Sequence, residues 1–398
     1  MGQDGGCTGW PERASGAARN WTACPRSRYL APLRLETDLA DGVTTIVSAR
    51  EGNRGLTYPH GEPPAPGEAR IVADGVLWLR LPLPMSLNHV NVYAIADGVG
   101  WAIVDTGIRT RDCLAGWEDA LAGPLGGLPV TQVICTHMHP DHIGLAGWLC
   151  ERFDAPLKMT QVEYVTARML LADAGPAPEG GAVFYRAAGW DDERIASWRS
   201  DYGQFGRGVH ALPQSYTRIV RDQTLQIGGD DWLIVIGNGH SPEHACLWRQ
   251  SDGVFISGDQ ILPRISSNIS IWPTEPMANP LQDWMTSLEQ LAARLPVDLL
   301  VLPGHGEPFT GVQARLEALT RGHEISLTRL ERALQTPKRA VDVFSTLFAR
   351  AVGEGLYGMA TGESLAHLIY LEAHGRARRD RDADGVDWWT ATNPETTT

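Results

Sequence analysis

The stretch His137-Met138-His139-Pro140-Asp141-His142 determines how the rest of this sequence is interpreted. It follows an apolar run over residues 130–135, which predicts a β-strand. His137 and His139 alternate at the end of that strand, so both side chains project to the same side of it. Pro140 favours an extended conformation for the residue before it, which supports this geometry. We therefore expect the two imidazoles to point at one place.

The second half of the stretch brings further polar groups toward that place. Asp141 is predicted to cap a helix that begins near Ile143, and this turn carries the Asp141 carboxylate and the His142 ring toward the first two imidazoles. Three imidazoles and one carboxylate within six residues suit zinc and other borderline divalent metals. The stretch therefore predicts a metal site that takes three or four of its ligands from here.

Three more candidate ligands share one feature, since each follows a short apolar run and has glycine neighbours. They are His240 after residues 232–236, Asp259 after residues 254–256, and His305 after residues 299–302. Strand ends at a common sheet edge bring such residues together, and glycine lets the backbone approach a site closely. With the histidine-rich stretch, they supply the roughly six to eight ligands that two metal ions need.

This ligand series, with Val104-Asp105-Thr106-Gly107 upstream, resembles the metallo-β-lactamase superfamily over residues 71–310. The resemblance implies an α/β fold, the four-layer αββα sandwich. It implies one metal ion on His137, His139 and His240, and a second on Asp141, His142 and His305. Asp259 would bridge the two ions. Asp105 would orient ligand imidazoles without binding metal, and His244 is a further candidate for such a supporting role.

Three features separate branches of the family that the chain resembles. An aspartate at the position of Asp259 argues against antibiotic hydrolysis, because true β-lactamases usually lack it. His139 stands where flavodiiron proteins carry glutamate, which argues against redox chemistry. The 46 positions from Asp259 to His305 are too few for the cap that the family's nucleases insert there.

The implied activity is hydrolysis by a hydroxide that bridges two divalent ions, zinc first, with iron or manganese as alternatives. Asp141 would orient this nucleophile and shuttle its proton as the catalytic residue. The first hypothesis is a thioester or related acyl ester, as in glyoxalase II-type enzymes. The alternatives are a lactonase, a phosphodiesterase or ribonuclease, and a regulatory metal-binding protein with weak turnover. The complete ligand set disfavours the last, and no substrate-binding residue is identified.

Composition and periodicity divide the chain into four parts. Residues 1–68, rich in Gly and Pro, read as a poorly structured N-terminal extension with an optional short element at 43–47. Residues 69–320 form the catalytic domain, in which a helical insertion at 160–215 lies over the site and packs its aromatic residues into a small core of its own. Residues 321–390 resemble a winged-helix domain of three helices and a hairpin around Asp384-Gly385. Residues 391–398 form a tail.

Charge and cysteine usage limit the partners and the location. The net charge is −13, and from residue 323 onward nine Arg and Lys stand against eleven Asp and Glu, so nucleic acid is not an expected partner. Six cysteines without a C-x-x-C pair do not form a disulfide framework. Neither a signal peptide nor a membrane span is expected, which predicts a cytoplasmic protein. We expect a small acyl substrate as the partner. For residues 321–390, which we call the C-terminal module, we expect a role in interaction or in forming a homodimer.

Overall fold

The computed structural model describes residues 50–51, 55–173 and 175–392. Its strands are β1 (Arg50–Glu51), β2 (Thr57–Tyr58), β3 (Ala69–Ala73), β4 (Val76–Pro82), β5 (His89–Asp97), β6 (Gly100–Val104), β7 (Val130–Ile134), β8 (Leu157–Met159), β9 (Thr217–Arg218), β10 (Thr224–Ile227), β11 (Asp230–Gly237), β12 (His244–Arg249), β13 (Val254–Gly258), β14 (Leu300–Pro303), β15 (Ala377–Arg381) and β16 (Asp387–Ala391). Its α-helices are α1 (Arg111–Ala122), α2 (Pro140–Ile143), α3 (Ala146–Phe153), α4 (Gln161–Ala172), α5 (Glu179–Ala187), α6 (Asp192–Asp201), α7 (Phe205–Gly208), α8 (Pro280–Arg294), α9 (Val312–Ala333), α10 (Phe344–Leu347) and α11 (Tyr357–Ala373).

Two sheets form the centre of the molecule. The larger has seven strands in the order β3 to β9, antiparallel as far as β6 and parallel beyond it. The smaller has five strands in the order β10 to β14, of which only the last pair is parallel. A two-residue turn at Gly228 and Gly229, both with positive φ, joins β10 to β11. A Cβ on Gly228 would lie 2.1 Å from the Ala96 carbonyl oxygen, so this turn requires glycine.

The burial pattern along β4 shows why the sheets stack. Val76 and Trp78 point to one face and pack against residues of the five-stranded sheet. Leu77, Leu79 and Leu81 point to the other face and pack against α1 and α3. The five-stranded sheet is likewise covered on its outer face by α8, α9 and α11. Helices, two sheets and helices form four layers, so the predicted αββα sandwich is confirmed.

The C-terminal elements share a core with the sandwich. Residues of α11, including Leu365 and Leu368, belong to the same apolar cluster as Phe255 of β13 and Leu288 of α8. The boundary predicted at residues 320 and 321 falls inside the continuous helix α9. Of the three helices predicted in residues 321–390, the second is short. It comprises only a 3₁₀ turn, Ala340–Val343, and the single turn of α10. The predicted hairpin forms as β15 and β16.

The predicted insertion is helical, but its aromatic residues do not form a core of their own. The Tyr185 ring stacks on Trp190 with 4.2 Å between centroids. The Trp190 indole donates a 2.9 Å hydrogen bond to the Thr361 hydroxyl of α11, and both rings belong to the cluster shared with the C-terminal helices. That part of the prediction is wrong, because these rings pack into the apolar cluster that the C-terminal helices also form.

The start of the described chain also differs from the prediction of a loose extension. Leu56 and Tyr58 are buried, and the Thr57 backbone exchanges two hydrogen bonds with Thr310. These residues therefore belong to the folded sandwich. The short element predicted at residues 43–47 lies outside the described residues. Within the described ranges, no helix combines the length and apolar character needed to cross a membrane.

Candidate metal centre

All seven predicted ligands lie together at one edge of the two sheets. The segment after β7 carries four of them, and the segments after β11, β13 and β14 carry His240, Asp259 and His305. The strands approach so closely that a Cβ on Gly304 would lie 2.2 Å from Asp259 Oδ1 and 2.8 Å from His142 Cε1. Glycine beside a ligand is therefore a steric requirement of this edge.

The first group consists of His137, His139 and His240. His137 Nε2 lies 2.9 Å from His139 Nδ1 and 3.3 Å from His240 Nε2, and the last two atoms lie 3.0 Å apart. Tetrahedral zinc with Zn–N distances of about 2.1 Å would place its donor atoms about 3.4 Å apart. The three nitrogen atoms thus converge at nearly the spacing that one metal ion requires.

Neighbouring groups leave these nitrogen atoms free to bind metal. His240 Nδ1 donates a 2.8 Å hydrogen bond to the Asn268 carbonyl oxygen, so Nε2 keeps its lone pair. Burial, reinforced by the surrounding imidazoles, holds the pKa of His137 well below its usual range and lowers that of His139 to about 3. The rings of the first group are therefore neutral, which is the form that ligates metal.

The second group consists of Asp141, His142 and His305. Asp141 Oδ2 lies 3.3 Å from His305 Nε2 and 3.7 Å from His142 Nε2. His305 Nδ1 donates to the His89 carbonyl oxygen at 2.7 Å, so its Nε2 faces the carboxylate. Asp141 lies in the first turn of α2, which begins at Pro140, so the prediction that it caps a helix starting near Ile143 is wrong.

Asp259 faces both groups at once. Its Oδ1 lies 3.4 Å from His142 Nε2, and its Oδ2 lies 3.3 Å from His305 Nε2 and 3.6 Å from His240 Nε2. Among the described residues, His142 Nε2 and Asp259 Oδ1 are buried without a hydrogen-bond partner. Buried polar atoms without partners are costly, and a cation between the groups would satisfy both. The donor set therefore fits divalent metal.

The carboxylates control the protons of the second group. Burial alone would lower the pKa of His305, but Asp259 and Asp141 raise it to about 10. The same carboxylates and Asp105 outweigh burial at His142 and hold its pKa well above the usual range. Without metal, protons on these rings therefore offset the negative charge of the carboxylates. A metal ion must displace them, so its binding releases protons.

Asp105 and His244 lie where supporting residues are needed. Asp105 has a left-handed φ of 61° and accepts hydrogen bonds from the Thr136 amide and from His142 Nδ1, both at 2.8 Å. His244 Nε2 accepts from the Asp259 amide at 3.0 Å, and its ring stacks on His137 with 4.7 Å between centroids. Each contacts a candidate ligand through atoms other than its metal-facing nitrogen or oxygen, so neither residue needs to bind metal itself.

Sequence reasoning missed Glu163, which is fully buried at the start of α4. Its carboxylate accepts hydrogen bonds from the Met138 amide at 2.9 Å, and from the Ser241 hydroxyl and the Glu243 amide at 2.7 Å each. It thus joins the two segments that carry the first group. Burial raises its pKa to about 7 despite three donors. The only sequence signal, Thr160-x-x-Glu163, indicates a helix cap, and Thr160 makes no such side-chain bond.

Replacing Glu163 should loosen the first group. We expect Glu163→Ala to destabilise the protein by about 3 kcal/mol, because three donors lose their partner, and to weaken metal binding about 10-fold. Urea unfolding and a chelator-competition titration measure the two effects. Glu243→Ala, which removes a neighbouring carboxylate bonded to the Val162 amide, is the control and should change stability by less than about 1 kcal/mol. Unchanged metal affinity in Glu163→Ala would contradict the joining role.

Comparisons with known proteins give matches to two parts of the chain. A family model described as metallo-beta-lactamase superfamily matches residues 85–305, and one described as metallo-beta-lactamase-like, C-terminal domain, matches residues 327–392. The solved structure of a beta-lactamase domain protein from Burkholderia ambifaria is 38% identical with a TM-score of 0.75, covering 85% of this chain and 99% of its own.

Two more distant relatives extend the similarity. A metallo-beta-lactamase family protein from Thermus thermophilus, whose structure is solved, is 28% identical with a TM-score of 0.67, covering 80% of this chain and 99% of its own. A protein of Bacillus subtilis (strain 168) named probable metallo-hydrolase YqjP is 26% identical over 314 residues, which are 76% of this chain and 94% of that protein. The resemblance noted in the sequence is confirmed, and the chain belongs to the metallo-beta-lactamase superfamily.

Proposed function

We propose that this protein is a metal-dependent hydrolase that holds two divalent ions, zinc first, and cleaves a thioester or related acyl ester. The position of Asp259 supports the two-metal centre most strongly, because its two oxygens face His142, His305 and His240 from between the groups. Five imidazoles and two carboxylates are a donor set that suits zinc. The Bacillus relative's name, probable metallo-hydrolase, is consistent with this chemistry.

The chain's own residues divide the work. Two bound ions would supply a nucleophile by lowering the pKa of water from about 15.7 toward about 7. Asp141 would orient that nucleophile and take its proton, since its side chain is 19% exposed against 9% for Asp259 and 4% for Asp105. It is the carboxylate of the three that substrate and solvent reach most easily. Asp105, His244 and Glu163 would keep the ligands in place.

The acyl substrate is proposed from the complete ligand set of the glyoxalase II-like branch and from charge. A net charge of −13 repels polyanions such as RNA, which favours a small substrate. Thioester and ester carbonyls develop negative charge on one oxygen during attack, and a metal centre stabilises it. A lactonase, a phosphodiesterase and a binding protein with weak turnover remain as outcomes of the test.

Metal content and substrate preference test this proposal. Elemental analysis of the purified protein should find close to two transition-metal ions per chain. The zinc-reconstituted protein should then show its highest kcat/KM on a thioester or ester when compared on thioesters, lactones, β-lactams and phosphodiesters. A fully active preparation with one ion per chain would contradict the two-metal centre. A preference for phosphodiesters would overturn the acyl assignment alone.

A further inference from the structure

One ligand of the first group depends on a segment that has no regular structure. Between Gly258 of β13 and Pro280 of α8 the chain forms neither helix nor strand. Within it, the backbone carbonyl oxygen of Asn268 accepts the hydrogen bond from His240 Nδ1 at 2.8 Å. Because a metal-binding imidazole is oriented by the partner of its other nitrogen, the position of Asn268 determines where His240 Nε2 points. Something outside the segment must hold Asn268.

Helix α11 of the C-terminal module supplies that support. Glu363 Oε2 accepts a 2.7 Å hydrogen bond from Asn268 Nδ2. The Gly362 carbonyl accepts a 3.2 Å hydrogen bond from the Ile271 amide, and the Ser270 hydroxyl oxygen lies 3.1 Å from the Met359 carbonyl oxygen. A Cβ on Gly362 would lie 2.7 Å from the Ile271 carbonyl oxygen, so the helix backbone packs directly on the segment.

Helix α9 holds the earlier part of the same segment. The Arg315 guanidinium donates to the Leu262 carbonyl and, at 2.7 Å, to the Ile265 carbonyl. His323 Nε2 lies 3.2 Å from the Ser266 hydroxyl. Helices α9 and α11 therefore anchor the segment from Leu262 to Ile271, in place of the backbone ladder that a strand would have.

The contact between Asn268 and Glu363 is specific in orientation. The Ser270 hydroxyl donates to Asn268 Oδ1 at 2.5 Å, which directs the amide nitrogen toward Glu363. Glu363 is partly buried, and burial raises its pKa to about 7. The contact is nevertheless short, with 2.7 Å between Asn268 Nδ2 and Glu363 Oε2. The chain of contacts runs from α11 through Asn268 to His240 without a gap.

We propose that Glu363 is a positioning residue of the metal centre, which acts through Asn268 to orient His240 and makes the C-terminal module part of the first group's support. This proposal rests on the metal centre proposed above. It gives the C-terminal module a role in the site itself, in addition to the interaction role that the sequence suggested. Neither residue would touch metal or substrate.

The test measures metal binding by the full chain. Glu363→Ala and Asn268→Ala should each weaken binding of the first zinc ion about 10-fold by chelator competition, which is the usual loss when an outer partner is removed. The double variant should lose no more than either single variant, because both remove one interaction. The visible spectrum of bound Co²⁺, which reports ligand geometry, should change alike in all three.

Two further variants separate positioning from folding. Glu363→Gln keeps an oxygen that accepts from Asn268, so it should bind zinc within about 3-fold of the wild type. Glu372→Gln, on the same helix but paired with Arg379, is the matched control and should leave affinity and spectrum unchanged. If Glu363→Ala does not fold, Asn268→Ala still tests the loss of this contact, and Glu363→Gln tests the effect of keeping it.

The outcomes distinguish this proposal from the one on which it rests. Single variants with wild-type affinity and spectrum would overturn the positioning role alone. Losses that add in the double variant would also overturn it, because the two residues would then act independently. A wild-type chain that takes up no metal would overturn the proposed metal centre, and the positioning role with it.

Discussion

Replacing Asp259 by asparagine should lower the bound metal from about two ions to one or fewer per chain. The residue faces both groups at distances of 3.3–3.6 Å, and its carboxylate is the only negative charge that contacts His240 and His305 together within the described residues. Removing one partner of a buried charge pair costs about 3–5 kcal/mol, which corresponds to at least about a 100-fold loss of affinity. Activity should fall in proportion to metal content.

Elemental analysis after gel filtration measures this effect, and excess zinc should restore part of both occupancy and activity. Asp252→Asn is the control, because Asp252 precedes the same strand but pairs with Arg249 at 2.7 Å, away from the ligands. It should keep two ions. If Asp259→Asn keeps two ions at wild-type affinity, the bridging assignment is wrong and the groups are independent sites.

The convergence of the seven candidate ligands could be predicted from sequence, because each lies in a segment that follows a strand. Strand ends at one edge converge whatever the details of the connections, and the apolar runs before His240 and His305 are easy to recognise. Strand β12 is not evident from the sequence, although all six of its residues are buried. It begins with His244 and ends with Arg249, whose charge is neutralised by Asp230 and Asp252, so its ends read as loop residues.

The support behind the ligands could not be predicted in the same way. Glu163 is 78 positions from Ser241 in the chain, and Glu363 is 95 positions from Asn268. A lone glutamate in a helical pattern normally lies on a solvated face, and periodicity contains no information on which distant amide will face it. Such contacts are consequences of packing between layers, which only the folded chain defines.

Asp141→Asn should reduce kcat by at least about 100-fold, the usual weight of a positioned acid or base. Burial would raise the pKa of Asp141, but His142 and His305 lower it to about 2, so the wild-type group is an anion at neutral pH. In the proposed mechanism its oxygen faces the nucleophile and receives the nucleophile's proton. Asparagine keeps an oxygen toward His305 and His142 but cannot accept that proton. The loss of turnover should therefore exceed the loss of metal.

The response to excess zinc separates this variant from Asp259→Asn. Zinc should restore the Asp259 variant in part, because that defect lies in occupancy, and should do little for Asp141→Asn, because its defect lies in proton transfer. Steady-state kinetics at saturating substrate, with metal content measured on the same samples, assign the loss to kcat or to occupancy. If Asp141→Asn binds both ions and keeps near-wild-type turnover, hydrolysis needs no protein base and the remaining 19% exposure of Asp141 has no catalytic meaning.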